Sequence, residues 1–159
     1  MKPRLPQLAL RLDAAMPNAD APWCAGTTIA YLGASLSLVL DTACSTPARI
    51  GTELHLPLPP AATPRQIRDA AESWLRDEAL RYFSALITEK SALAGRHAAP
   101  PRIVLSFGKH GNWVKAEVGL IRCHWRLIEQ PPAVIAQVLQ QSLAGTAAAP
   151  ACEDLFSFA

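Results

Sequence analysis

The chain has 159 residues, enough for one domain with its own core and too few for two ordinary ones. Half of the residues are apolar and 18% are charged, which excludes a largely disordered chain. With eleven arginines and four lysines the net charge is only +2, too small to argue by itself for capture by nucleic acid or a membrane surface.

The apolar runs are all shorter than the roughly 18 residues a spanning helix needs, and no membrane association is expected. Residues 1–22 hold Lys2, Arg4, Arg11, Asp13 and four prolines around broken apolar runs. They lack the apolar block of a secretory signal and are expected to form a flexible arm. Cys24, Cys44, Cys123 and Cys152 form no Cys-x-x-Cys pair, so free thiols in a reducing, cytoplasmic setting are expected.

Order is expected from Trp23. Thr28–Leu32 and Leu36–Leu40 read as two strands around Gly33, with Leu36, Leu38 and Leu40 on one face. Leu54, Leu56 and Leu58 alternate in the same way, and Pro57, which has no amide proton, marks an edge or an end. A long helix follows. Thr63 caps it, Pro64 suits its first turn, and Ile67, Ala71, Trp74, Ala79, Phe83 and Leu86 recur at helical spacing. Arg65/Asp69, Arg68/Glu72, Glu72/Arg76 and Asp77/Arg81 read as ion pairs on its solvated face, with an end before Gly95. Residues 102–107 and 113–118 are expected to form a hairpin around 108–112. Leu120–Ile128 reads as the strongest strand, Ile121, Cys123, Trp125 and Leu127 facing one way and Arg122, His124 and Arg126 the other. Pro131-Pro132 opens a second helix carrying Val134, Ile135, Val138 and Leu139, which Gly145 is expected to stop.

The run Trp125-Arg126-Leu127-Ile128, then Pro131-Pro132, Val134-Ile135 and Val138, resembles the YgjP-like metallopeptidase domain family, zincin-like hydrolases. Tyr31-Leu32-Gly33 resembles that family's early strand, Trp74-Leu75-Arg76 with Ala79 its long-helix signature, and Trp113 the tryptophan of its Trp-Gly-Ser-Cys turn. The resemblance covers about residues 25–146. It implies an α+β fold with N-terminal β hairpins, one long helix, a three-stranded antiparallel sheet and a short C-terminal helix. The domain is expected over 23–145, with the arm at 1–22 and a linker and apolar tail at 146–159.

The resemblance also implies zinc held by His-Glu-Leu-x-His on the second helix, two imidazoles one turn apart with the glutamate as general base. Counting on from Pro131-Pro132, that motif falls on Gln141-Ser142-Leu143-Ala144-Gly145. Gln141 and Gly145 replace the histidines, Ser142 replaces the glutamate, and no histidine follows to serve as the third ligand. The expected catalytic and metal-binding sets are therefore empty and no cofactor is expected. Trp113, His124 and Arg126 are expected to line the remains of an ancestral cleft; Val114-Lys115-Ala116 replaces the family's Gly-Ser-Cys, and His124 its asparagine.

Other chemistry is weakly supported. His55, His97, His110 and His124 have no second histidine or cysteine two to four residues away, which argues against a new metal site. Ser106, Ser142 and Cys123 lack a nucleophile motif. Arg102, Lys109, Lys115, Arg122 and Arg126 with Trp113 make a modest basic face for single-stranded nucleic acid, or simply a solvated one. The tail, with Asp154, Leu155, Phe156 and Phe158, either packs on its own domain or engages a protein partner; Asp154-Leu155-Phe156 resembles the end of a sliding-clamp-binding peptide. The leading expectation is a catalytically inactive relative of the family kept as a protein-binding or regulatory module. An active hydrolase with non-standard or partner-supplied ligands, and a nucleic-acid accessory protein, are the alternatives.

Overall fold

The computed structural model describes residues 22–95, 99–108 and 112–148. The chain orders itself as four strands, a long helix, three strands, a 3-10 turn and a second helix. The content is α+β, as expected.

The first sheet joins β1 (Thr28–Tyr31), β2 (Ala34–Leu40), β3 (Ala48–Ile50) and β4 (Glu53–Leu56) in the order β1-β2-β4-β3. β1 and β2 form a hairpin with Tyr31 opposite Ala34. Its two-residue turn places Leu32 at φ 49° and Gly33 at φ 78°, the double positive φ that matches the twist of paired strands. β4 runs parallel to β2, Leu54 against Leu38 and Leu56 against Leu40, while β3 is antiparallel to β4. The Leu54–Leu56 strand therefore ends before Pro57 as expected, but it is central rather than an edge. β3, too short to show alternation, supplies the edge on that side, and β1 the other.

α1 spans Pro64–Leu93. The Thr63 hydroxyl accepts from the Gln66 amide, and the Gln66 side chain accepts from the Thr63 amide, so two orphan donors are satisfied reciprocally. Ile67, Ala71, Leu75, Ala79, Phe83, Ile87 and Ser91, each four residues on, form the buried stripe. Trp74 and Leu86 flank it, half-buried, because a strict four-residue step drifts around a helix of 3.6 residues per turn. Among the expected pairs, Arg65–Asp69 (3.8 Å) and Arg76–Glu72 (3.3 Å) form; Arg68 and Arg81 instead meet Asp69 and Glu78.

The second sheet is β5 (Arg102–Ser106), β6 (Val114–Glu117) and β7 (Leu120–His124), in the order β5-β7-β6. It is three-stranded but not purely antiparallel: β6 pairs antiparallel with β7, whereas β5 runs parallel to β7. The expected hairpin between 102–107 and 113–118 is thus replaced by β7 entering between the two. β7 carries two fully buried residues, Ile121 and Cys123, against one buried residue, Ile103, in β5, and it takes the central place. Backbone alternation ends at His124. Trp125–Glu129 winds into a 3-10 turn, which buries Trp125, Leu127 and Ile128 together instead of on alternate faces.

α2 spans Pro132–Ala148 and passes through Gly145 without stopping. Two alanines follow Thr146 and sustain the helix where a lone glycine only weakens it. Residues of both sheets, both helices and the 3-10 turn meet in one core, including Leu38, Leu54, Leu56, Phe83, Ile121 and Leu139. The arm at 1–21, the loop residues Lys109–Gly111 and the tail with Asp154, Leu155, Phe156 and Phe158 lie outside the described residues.

Candidate functional site

Two places carry chemistry. The first is the helix that should hold the metal motif. On α2, Gln141 is exposed, Ser142 is half-buried and Leu143 is buried. The Ser142 hydroxyl donates to the Val138 carbonyl one turn back (2.9 Å), so its proton is spent on the helix itself. Gly145 has no side chain. An exposed amide, an engaged hydroxyl and a bare backbone do not fit a zinc ion, and no step can be routed through one there.

The residues expected to line the ancestral cleft are brought together at the end of β7. Trp113 meets the His124 ring edge-on, centroids 5.6 Å apart, and its carbonyl accepts from the His124 amide (2.8 Å). His124 Nδ1 accepts from the Arg126 amide (3.2 Å), which leaves the proton on Nε2 to be donated to the Gly108 carbonyl (3.0 Å). Both ring nitrogens are thus occupied, and burial, with Arg126 adding to it, holds the imidazole below its ordinary pKa. Here His124 caps the 3-10 turn. The Arg126 guanidinium lies 5.3 Å from the Trp125 ring centroid, and the turn takes it out of the row that Arg122 and Lys115 continue across β7 and β6.

Three of the four motifs used for the sequence resemblance converge at this junction. The Leu32 and Gly33 amides donate to the Ile128 and Glu129 carbonyls (2.8 and 3.0 Å), which fastens the hairpin tip onto the 3-10 turn. A Cβ on Gly33 would stand 3.0 Å from Pro131, so glycine is required by space as well as by φ. Tyr31 packs on Trp74 (centroids 5.2 Å) and donates its hydroxyl proton to Glu78 (2.9 Å); burial, then that carboxylate, pushes the phenol up to about 12. Arg76 lies 5.7 Å from the Trp125 ring and 5.9 Å from exposed Phe107.

The second place was not legible in the sequence. Asp41 follows β2, Cys44 sits in the turn after it, and His55 lies on β4 opposite Val39. His55 Nδ1 is 3.1 Å from Asp41 Oδ2, and the Cys44 thiol donates to the same oxygen (3.4 Å). Asp41 Oδ1 accepts from the Ala43 amide (2.9 Å), fixing the carboxylate. On the far side of the ring, His55 Nε2 is 3.1 Å from Glu53 Oε2. One ligand atom from each of Asp41, Cys44 and His55 lies within 4.8 Å of the other two, with all three residues half-buried. The hydrogen bond to His55, then that from Ala43, holds Asp41 below the ordinary carboxylate range. Asp41, then Glu53, raises His55; burial, then Asp41, raises Cys44.

The missed signal was Asp41-x-x-Cys44 next to a Glu-x-His alternation. It becomes a cluster only through the parallel pairing of β2 with β4, which local spacing does not encode. Cys24, Cys44 and Cys123 are free thiols, as expected for the described cysteines. Cys123 is fully buried, which pushes its thiol up to about 12 and leaves it inert.

A family model described as YgjP-like, metallopeptidase domain matches residues 7–140. The chain therefore belongs to the YgjP-like metallopeptidase domain family. The match begins inside the expected arm and ends at Gln140, one residue before the aligned position of the first zinc histidine. No curated protein and no solved structure matches the chain.

Proposed function

We propose that this chain is a catalytically silent member of its family, retained as a protein-binding or regulatory module. The observation that carries the reading is α2: at the three aligned positions stand an exposed amide, a hydroxyl bound to the helix backbone, and a glycine. His124, at the end of β7, is committed to backbone groups on both nitrogens. The family scaffold around the site is nevertheless kept, from the Tyr31–Trp74 contact to the hairpin seated on the 3-10 turn. A scaffold kept without its reactive groups serves recognition. The apolar tail with Leu155, Phe156 and Phe158 is the sequence element suited to a protein partner.

A hydrolase using non-standard ligands is the second reading, and the Asp41–Cys44–His55 group is the observation that favours it. Peptidase assays of the full chain in excess zinc separate the two. No turnover is expected, and Gln141→Ala with Ser142→Ala should leave the chain's metal content unchanged. Turnover would overturn the proposal, and its loss in Cys44→Ser or His55→Ala would establish the second reading. Restoring Gln141→His, Ser142→Glu and Gly145→His together is expected to give no peptidase, since the third ligand is still missing.

A further inference from the structure

The Asp41–Cys44–His55 group lies away from α2, on the opposite side of the first sheet from the core. In β4, Leu54 and Leu56 are fully buried, so Glu53 and His55 project from the other face. The geometry points to a divalent-cation site of the zinc class, formed by Asp41 Oδ2, Cys44 Sγ and His55 Nδ1 and oriented by Glu53.

Three observations converge on it. The first is the donor set: one carboxylate oxygen, one thiolate sulfur and one imidazole nitrogen are the ligand types that zinc accepts, and three protein ligands leave a fourth position for water. The second is spacing. Two donors at roughly 2.0–2.3 Å from a tetrahedral ion stand about 3.3–3.6 Å apart. The Cys44–Asp41 separation is 3.4 Å and the His55–Asp41 separation 3.1 Å, close to that range, and the Cys44 and His55 donor atoms lie within 4.8 Å of each other. On binding, the Cys44 thiol proton and, from a doubly protonated ring, the Nδ1 proton leave to solvent, while Nε2 keeps its proton. The third is Glu53. It sits on Nε2, so it does not share the ion; it accepts the Nε2 proton, which leaves Nδ1 as the ligating nitrogen. Carboxylate, imidazole and metal then stand in line.

Nucleophilic chemistry is a poorer account of the same residues. The Cys44 thiol donates to the Asp41 carboxylate rather than to His55, so the imidazole is not placed to take its proton. The site stands apart from the catalytically silent reading of α2, because it shares no residue with that helix.

Cobalt(II) titration of the full-length chain tests it. One ion per chain is expected, with a thiolate-to-cobalt charge-transfer band in the near ultraviolet. The band should vanish in Cys44→Ser and His55→Ala and persist in Cys24→Ser and Ser142→Ala. Glu53→Gln should keep the band and weaken affinity about 10- to 100-fold. Far-ultraviolet circular dichroism checks that each variant is folded. Peptide mapping after alkylation gives a readout in the unmutated chain: zinc should protect Cys44 while exposed Cys24 stays reactive. Absence of the band at excess cobalt, a band that survives Cys44→Ser, or Cys44 alkylation unaffected by zinc would each overturn the site. Cobalt affinity unchanged in Glu53→Gln would overturn the orienting role given to Glu53.

Discussion

Glu129 ends the 3-10 turn with its carboxyl largely removed from water; burial raises its pKa to about 7, with Glu72 adding to the rise and Arg126 opposing it. In the unfolded chain the same group titrates near its ordinary 4.5. A raised acid is stabilising to the extent that the fold keeps its proton. The contribution is therefore full below about pH 4.5, falls as the pH rises, and is gone above about pH 7. Stability measured by urea titration should drop by about 1–2 kcal/mol across that window, partial exposure screening the rest. Glu129→Gln should flatten the curve and make the protein the more stable form at pH 8. A variant as pH-dependent as the parent would assign the slope to other groups. At this scale the sequence was a poor guide. In the sequence Glu129 and Gln130 are simply two polar residues before two prolines, and only the 3-10 turn brings Glu129 towards Glu72 of α1.

The junction between elements is most exacting at Gly33. Gly33→Ala adds a methyl 3.0 Å from Pro131 at a φ of 78°, whereas Gly51→Ala meets no atom within 4 Å at a φ of 59°. Both changes carry the left-handed penalty of roughly 1–2 kcal/mol. Gly33→Ala should exceed Gly51→Ala by a further 1 kcal/mol or more, about the cost of overpacking. Equal effects in chemical denaturation would show that the hairpin tip moves freely off Pro131. Elements announced by local chemistry were legible. Thr63-Pro64 marked the start of α1, and Leu36 with Leu38 marked the inner face of β2. Elements settled by tertiary choice were not. Nothing in residues 102–118 says that β7 will enter between β5 and β6, and nothing local to Gly145 says that α2 continues. The Asp41–Cys44–His55 group belongs with these. Its members are three and eleven residues apart, and they meet because β4 chooses a parallel partner.

Across the whole molecule, one core is shared by both sheets, both helices and the 3-10 turn. Each sheet buries its apolar face in that common core, so the fold should melt as one unit. Trp23, Trp74, Trp113 and Trp125 are distributed from the entry to β1 to the end of β7. Their fluorescence and the far-ultraviolet circular dichroism should give superimposable thermal transitions. Two resolved transitions would divide the domain between its sheets. The order β1-β2-β4-β3 has a last consequence, for biosynthesis. A nascent chain that has emerged only to Gly51 already contains β2 and β3 but lacks the strand that belongs between them. Facing rims of unpaired amides and carbonyls then wait for β4, and for that interval the growing chain offers neighbouring ribosome products an adhesive edge.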